Sequence, residues 1–501
     1  MTRRATGEWP NTKASGSAYP PISLATIVVP RYPLCMASPS TPSDRDPRHS
    51  LMPNIRALLV LGLPLTGGHL AQIAISVTDT VMLGWYSVDA LAAAVLGTAW
   101  FFNLFLVGSG FGWAVMPLVA EAAEREDQIA LRRATRMGLW LSFGFAVLAL
   151  PAMMFSAPIL QLLGQPAELA NAAQEYLRIA MWGLPAALGV MVLKSYLAAL
   201  EKTNVVLWVT LTAAAINGVV NYGLIFGNFG LPELGLRGAA LGSVIVQAAS
   251  FVLLIVYARR MFPEHALFHR LWRPDIAAMG KVFHLGWPIG LTNFSESGLF
   301  LASTLMMGSL GTVPVAAHGI AIQIASATFM FHMGISNGAT VRAGRALGRR
   351  DPEGLAQGGR AAIVVSVAFA LLTMVVFVLF PELLIGSFID PEDLQRDAIL
   401  ALGTTLLAMA ALFQLADGLQ VMALGMLRGV QDTRIPMLQA AFAYWCVGLP
   451  VSYLLGFELE WGGVGIWAGL ILGLSVAAVL LMHRFWRRAL PQVGSSAYSD
   501  G

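Results

Sequence analysis

The fold is decided by a run of 27 residues near the start of the chain, ALLVLGLPLTGGHLAQIAISVTDTVML (57–83), in which Asp79 and His69 are the only ionisable residues. A helix of roughly 20 mostly apolar residues is long enough to cross a lipid bilayer. The whole chain has the same character, with 57% hydrophobic and only 12% charged residues among 501. Soluble domains carry about a quarter charged residues. The sequence therefore predicts an integral membrane protein.

Twelve apolar segments are bounded by charges or turn residues. They lie near 57–83, 92–118, 137–160, 175–198, 204–227, 238–258, 282–308, 314–340, 361–380, 398–426, 435–457 and 463–483. Alternate connections between them carry twenty Lys and Arg residues on one side, Arg428 among them, and two on the other, Arg237 and Arg396. Because Lys and Arg concentrate on the cytoplasmic side, we predict an all-α protein with twelve transmembrane helices and both ends of the core cytoplasmic.

The regions outside these segments divide the chain. Residues 1–51 are rich in Pro, Ser, Thr and Arg without an amphipathic period, which predicts a disordered tail outside the core. Since the core could begin at Met52, this tail is hypothesised to be an over-extended start. The predicted remainder is an amino-terminal lobe (52–262), an inter-lobe linker (263–280), a carboxy-terminal lobe (281–488) and a short tail (489–501).

The two halves of the chain are related by an internal repeat. A shift of 224 residues aligns Leu61-Gly62-Leu63-Pro64 with Leu285-Gly286-Trp287-Pro288 and continues through the first two spans of each half. With six spans per half, corresponding helices keep the same orientation, which gives a parallel repeat. We therefore expect two pseudo-symmetric six-helix lobes that could rock about a central cleft; a duplication that merely stabilises a bundle is the alternative.

Several function classes are not expected. The net charge of +3 and the lack of a basic run argue against nucleic acid as a partner. Cys35 and Cys446 form neither a CxxC pair nor a zinc spacing, so a disulfide framework and a metal centre of this kind are not indicated. The chain has no HExxH, GxSxG or Walker A motif, so we expect neither an enzyme, nor an organic cofactor, nor drive by ATP.

Acidic residues inside predicted spans mark candidate sites, because a charge at the bilayer centre is costly and functional by default. Asp79 follows Gln72 at i+7 on one helix face, while Asn217 and Asn221 lie one turn apart in the fifth span and Ser243 lies in the sixth. These oxygens could hold Na⁺ around Asp79 or tune a proton-binding carboxylate. The alternative for the asparagines is hydrogen bonding between helices.

The second half carries two further acidic residues, Glu296 and Asp417. The 224-residue shift pairs Glu296 with Gln72, and pairs Ser303 with Asp79, so the carboxylate occupies opposite members of the pair in the two halves. Glu296 and Asp417 could approach each other in the folded protein. Desolvation and mutual repulsion would then favour a shared proton, or the pair could hold Na⁺.

Several strings resemble the multidrug and toxic compound extrusion (MATE) transporters, in particular their NorM-like branch. They are TDTVMLG (78–84), GWPIGLTNFSE (286–296), VAAHGIAIQ (315–323), ADGLQ (416–420) and LRGVQDTRIPM (427–437). The resemblance covers about residues 52 to 488. It implies two six-helix lobes in a V shape, with a polar site at Asp79, Asn217 and Asn221 and a cation site at Glu296 and Asp417.

The chain departs from the family pattern at two positions. Phe413 occupies the place, one turn before Asp417, where NorM-like proteins often carry an aromatic hydroxyl, and Asn221 stands where other branches carry Asp. The first departure weakens the case for Na⁺ at the carboxy-terminal site and leaves the coupling ion open.

The resemblance implies a secondary active multidrug efflux antiporter, which exports cationic, amphipathic small molecules in exchange for H⁺ or Na⁺ by alternating access. We expect a monomer in the bacterial cytoplasmic (inner) membrane, with drugs or organic cations and membrane lipid as its partners. A flippase for lipid-linked precursors from the same superfamily is one rival. A membrane-embedded enzyme and a passive channel are the others.

Overall fold

The computed structural model describes residues 50–495, and no β-strand occurs among them. Twelve long helices follow one another along the chain. They are α1 (Leu51–Tyr86), α2 (Val88–Glu124), α3 (Gln128–Met154), α4 (Ala167–Ala199), α5 (Thr203–Phe226), α6 (Leu236–Met261), α7 (Ile276–Leu310), α8 (Thr312–Arg349), α9 (Pro352–Leu379), α10 (Arg396–Gly429), α11 (Arg434–Glu458) and α12 (Gly462–Val493). The predicted all-α fold with twelve helices is confirmed.

Eleven of these helices are long and apolar enough to cross a membrane. The remaining one, α7, has 35 residues but carries polar side chains along its length, including Asn293 and Glu296. A helix of this length rises about 50 Å at 1.5 Å per residue, which exceeds a hydrocarbon core of roughly 30 Å. The chain is a polytopic membrane protein.

The predicted and observed bounds differ at several helices, and two of these differences have an identifiable cause. The predicted span 137–160 is interrupted, because α3 ends at Met154 and a short helix, Ser156–Leu162, begins after Phe155. Pro158 explains the break, since a proline ring clashes with the carbonyl four residues earlier, here that of Met154. The predicted span 314–340 was too short, because α8 continues to Arg349 and places arginines on a helix that we had assigned to a connection.

Helices α1–α6 form the amino-terminal lobe and α7–α12 the carboxy-terminal lobe. Within the first, α1 packs against α5, and α2 against α3 and α4; within the second, α7 packs against α11, and α8 against α9 and α10. The lobes meet where α1 contacts α8 and where α2 contacts α7. A shift of six helices converts one of these contacts into the other, so the interface has the symmetry of the repeat.

Glycines make this interface close. A Cβ atom on Gly110 would lie 2.3 Å from the carbonyl oxygen of Gly286 and 2.5 Å from the backbone nitrogen of Gly290. At the equivalent contact, a Cβ atom on Gly334 would lie 2.6 Å from the backbone nitrogen of Thr66. Gly334 and Gly290 follow Gly110 and Thr66 by 224 residues each. The sequence repeat therefore reappears as two equivalent backbone contacts between the lobes.

One end of the lobe interface is joined by charged groups, and we call it the arginine-rich end. Glu124 at the end of α2 pairs with Arg349 at 2.8 Å and with Arg345 at 3.5 Å, both on α8. Arg345 also pairs with Glu201 at 3.2 Å, and Gln431 donates a hydrogen bond to Glu121. Each of these contacts joins the amino-terminal to the carboxy-terminal lobe, so the lobes are held together at this end.

Candidate functional site

The amino-terminal cluster is built around Asp79 on α1. Asn221 donates a hydrogen bond from Nδ2 to Oδ1 of Asp79 at 2.5 Å. Asn217 lies one turn earlier on the same face of α5, within electrostatic range of Asp79, and both asparagines are 0% exposed. The sequence-predicted trio of Asp79, Asn217 and Asn221 is therefore together in the structure.

Helix α6 closes the cluster from the other side. A Cβ atom on Gly242 would lie 2.0 Å from Oδ1 of Asn221, so only glycine allows this approach of α6 to α5. Ser243, the next residue, is within electrostatic range of Tyr176 on α4, whose hydroxyl accepts a hydrogen bond from Thr98 at 3.4 Å. Tyr176 interacts electrostatically with Asp79 and thus brings a phenol into a cluster in which the sequence analysis had not placed it.

Gln72 is the one predicted member of the amino-terminal cluster that does not contact the other members in the structure. Its side chain is exposed and it makes no hydrogen bond to any of the residues that the structure describes. The i+7 spacing puts Gln72 and Asp79 on one side of α1, but about 10 Å separates residues seven apart along a helix. A shared face is therefore insufficient for a shared site.

The carboxy-terminal cluster contains Glu296 and Asp417. Gln420 donates a hydrogen bond from Nε2 to Oε1 of Glu296 at 3.1 Å. Asp417, one turn before Gln420 on α10, is 2% exposed and interacts electrostatically with Glu296. The two carboxylates thus lie in one neighbourhood, between α7 and α10.

Two residues of this cluster were missed. Arg428 was assigned to a connection between spans, but it lies within α10, is 9% exposed and donates from Nη2 to Oδ1 of Asn293 at 2.9 Å. Tyr444 lies in a π-helical segment of α11, is 0% exposed, and is within electrostatic range of Glu296, Asp417 and Arg428. Such segments widen a helix by one residue per turn and are frequent at functional sites.

The adjacent residues fix α11 against α7. Trp445 donates from its indole nitrogen to Oγ of Ser295 at 2.7 Å, and Ser295 precedes Glu296. Phe413, in contrast, packs with ring centroids 5.9 Å from Phe300 and 5.7 Å from Trp467. The phenol near this cluster therefore belongs to α11, whereas the ring one turn before Asp417 is part of the apolar core.

Both clusters contain buried oxygen atoms without a hydrogen-bond partner. They are Oδ1 of Asn217, Oδ1 of Asn221, Oδ1 of Asp417, Oε1 of Gln420 and the hydroxyl of Tyr444. Hard cations prefer such oxygen ligands. Among residues 50–495 no group of three or more His, Cys, Asp or Glu side chains is placed to hold a metal ion. The residues present fit a proton or a weakly held Na⁺, with amide and hydroxyl oxygens completing each set.

Comparison with known proteins gives the same two-part organisation. The MatE family model matches residues 64–223 and again 288–454, so its two matches start 224 residues apart, which is the shift of the internal repeat. The chain is 44% identical over 436 residues to a probable multidrug resistance protein NorM of Rhizobium meliloti, covering 87% of this chain and 93% of that protein. It is 42% identical to the corresponding protein of Agrobacterium fabrum, covering 86% and 93%.

The fold is also similar to solved structures. A multidrug resistance MATE family transporter, solved in an outward-facing conformation, superposes with a TM-score of 0.78 at 20% identity, over 88% of this chain and 97% of that one. The family matches cover both halves of the chain, and the relatives share its sequence over most of their length. This polytopic protein, with a carboxylate cluster in each of two repeated lobes, belongs to the MatE family.

Proposed function

We propose that the protein is a secondary active multidrug efflux antiporter, which exports cationic, amphipathic small molecules in exchange for H⁺ or Na⁺ by alternating access. The observation that carries the proposal is the pair of carboxylate clusters with buried oxygen atoms, one in each repeated lobe, in a chain related to multidrug resistance proteins named NorM. It would act as a monomer in the bacterial inner membrane, without an organic cofactor.

The residues proposed to bind the coupling ion are Asp79, Glu296 and Asp417. Asn217, Asn221 and Ser243 support the first of these, since their oxygen atoms lie in the same cluster. Na⁺ could be held by Asp79 with the two asparagines, or by Glu296 with Asp417; a proton would need one carboxylate oxygen only. Gln72 is included in the proposed supporting residues only because it lies on the same face of α1 as Asp79.

Export requires that ion and drug bind in a mutually exclusive or sequential way, because otherwise an ion gradient cannot drive the drug outwards. A cationic drug is attracted by a carboxylate that has lost its ion, and repelled by a site that has regained one. Ion entry from outside and drug entry from the cytoplasm then alternate as the lobes rock.

The arginine-rich end supports a state that is closed on one side. Its ion pairs bridge the lobes at the ends of α2 and α8. On the distribution of Lys and Arg, this is the predicted cytoplasmic side. On this proposal, a protein closed at the arginine-rich end would be in the half of the cycle in which a central cleft opens outwards.

A flippase for lipid-linked precursors is less well supported. Such a protein would need a basic cavity for phosphates, whereas the buried Arg428 is within electrostatic range of the acidic Glu296. A passive channel would show single-channel conductance.

Gradient-driven transport in proteoliposomes tests the proposal. The purified protein is reconstituted, ethidium is added as a fluorescent organic cation, and a pH or Na⁺ gradient is imposed. We expect ethidium to move in the direction opposite to the ion flow. This movement should stop when an ionophore collapses the ion gradient. An absence of movement with either gradient, for ethidium and two further organic cations, would contradict the proposed function.

A further inference from the structure

Among residues 50–495, Arg428 is the one buried guanidinium that connects a carboxylate cluster to the other lobe. It is held on α10 of the carboxy-terminal lobe and bonds to Asn293, which lies one turn before Glu296 on α7. Its guanidinium carbon lies 5.9 Å from the ring centroid of Trp113, which is on α2 of the amino-terminal lobe. One side chain therefore touches both the helix that carries Glu296 and the opposite lobe.

The charges around Arg428 are unequal. Glu296 on α7 and Asp417 on α10 are the carboxylates of the cluster, and Tyr444 on α11 is a further ionisable group within electrostatic range of Arg428. Two ionised carboxylates and one guanidinium leave a formal charge of −1 in a region where an unbalanced charge is costly. One monovalent cation, and not two, makes the cluster neutral.

The contacts of Arg428 indicate that it has a second role besides balancing the charge of the cluster. Its nitrogen atoms form no ion pair with a carboxylate among residues 50–495, although Glu296 is within electrostatic range. The guanidinium is instead shared between an amide oxygen and an aromatic face, both of which bind cations more weakly than a carboxylate does. When the cluster loses its cation, Arg428 is the positive charge that remains near Glu296. The attraction between Arg428 and Glu296 then competes with the contact between Arg428 and Trp113.

We propose that Arg428 is a positioning residue of the transport cycle, which sets the carboxy-terminal cluster to accept one monovalent cation and ties the occupancy of that cluster to the lobe interface through Trp113. This inference rests on the proposed function. An occupied cluster leaves Arg428 on Asn293 and Trp113, and strengthens the contact between α10 and α2. An empty cluster draws Arg428 towards Glu296 and weakens that contact.

Binding and transport measured on the same variants test the inference. Arg428→Gln keeps a hydrogen-bond donor for Asn293 and removes the charge; Arg428→Lys keeps the charge; Arg487→Gln is the matched control, because Arg487 is exposed on α12. The protein is held in lipid nanodiscs for titration with Na⁺ or with acid, and in proteoliposomes for gradient-driven ethidium transport.

For Arg428→Gln we expect cation affinity to rise about tenfold, because a neighbouring positive charge is removed, and the Hill coefficient to rise above its wild-type value. Transport should fall about tenfold, since tighter binding without the link to the interface does not drive the lobes. Arg428→Lys should keep cation affinity within about threefold of wild type. Affinity and transport that fall together, or that both stay unchanged, would overturn the inference.

Trp113 provides a second, independent arm should the Arg428 variants fail to fold. Trp113→Leu removes the aromatic face and should lower transport and also weaken cation binding severalfold, because a coupling between occupancy and the interface acts in both directions; Trp113→Phe should keep most of both. A wild-type cation affinity in Trp113→Leu would contradict the proposed link. If wild-type protein binds cations but transports nothing under any gradient, the proposed function fails and the assignment of Arg428 to the cluster does not.

Discussion

The two lobes share one scaffold but build their carboxylate clusters differently. In the amino-terminal lobe a single acid, Asp79, is held by the amide of Asn221 and has no basic group in its cluster. In the carboxy-terminal lobe two acids, Glu296 and Asp417, are partly balanced by Arg428. Fully ionised, each cluster has a formal charge of −1. The comparison teaches that the repeat preserved the formal charge, which the proposed coupling ion would neutralise, without preserving the residues that carry it.

The largest expected effect comes from removing one acid from each cluster. Asp79→Asn and Asp417→Asn both change the formal charge of their cluster from −1 to 0, so no cation is needed for neutrality. We expect each variant to bind one cation fewer per protein, by direct counting of Na⁺ bound or protons released. Glu382→Gln, an exposed acid before α10, is the control and should bind as wild type. Equal numbers of bound cations in the wild type and in all variants would contradict the proposed charge of −1 for each cluster.

The hydrogen bond from Asn221 to Asp79 gives the next effect. Asn221→Leu keeps the shape of the side chain and removes the donor, at a cost of about 1.5–3 kcal/mol for a bond to a charged group. Ion affinity of the amino-terminal cluster should change about tenfold or more, with the carboxy-terminal cluster unaffected. Gln420→Leu removes the donor to Glu296, and should change the ion affinity of the carboxy-terminal cluster while the amino-terminal cluster stays unaffected. A change in both clusters from one substitution would show that they are not separate.

The approach of α6 to α5 predicts a smaller and more local effect. In Gly242→Ala the added methyl group would meet Oδ1 of Asn221, so we expect a displaced amide and ion affinity weakened about threefold to tenfold, comparable to part of one hydrogen bond. Gly218→Ala is the matched control on α5, because nothing lies within 4 Å of a Cβ atom there. Circular dichroism melts would separate loss of affinity from loss of folding.

The arginine-rich end gives the smallest effect. Glu124→Gln removes the carboxylate that Arg345 and Arg349 share, but these side chains are partly exposed, and such pairs contribute about 0–1 kcal/mol each. The equilibrium should shift towards opening at this end by about twofold to fivefold, measured as accessibility of a cysteine introduced in the closed interface. Glu382→Gln, the exposed acid before α10, is again the control and should leave the equilibrium unchanged.

The fold was predictable from sequence because lipid imposes simple rules. Apolar segments of sufficient length gave twelve helices, and the repeat gave the relation of Gly62 to Gly286 that the lobe interface confirms. The boundaries were less predictable. Pro158 interrupts the third span, and α8 continues as a helix to Arg349, beyond the apolar segment, where Arg349 pairs with Glu124.

The candidate clusters were predictable only in part. The cost of a buried acid identifies Asp79, Glu296 and Asp417 from sequence alone. Arg428 was missed because its position near the end of a span is typical of a cytoplasmic arginine, and burial against Trp113 depends on the packing of two lobes. Tyr444 was missed because the π-helical segment that contains it leaves no periodicity by which a sequence would place its hydroxyl.

The most direct test of the account is ethidium transport in proteoliposomes by the wild type and by Asp79→Asn, Glu296→Gln and Asp417→Asn, each under an imposed pH or Na⁺ gradient. The account predicts gradient-driven transport by the wild type, and a loss of about tenfold or more in each variant, within the range of measured coupling between sites. Transport by all three variants at the wild-type rate, with the same dependence on the gradient, would contradict it.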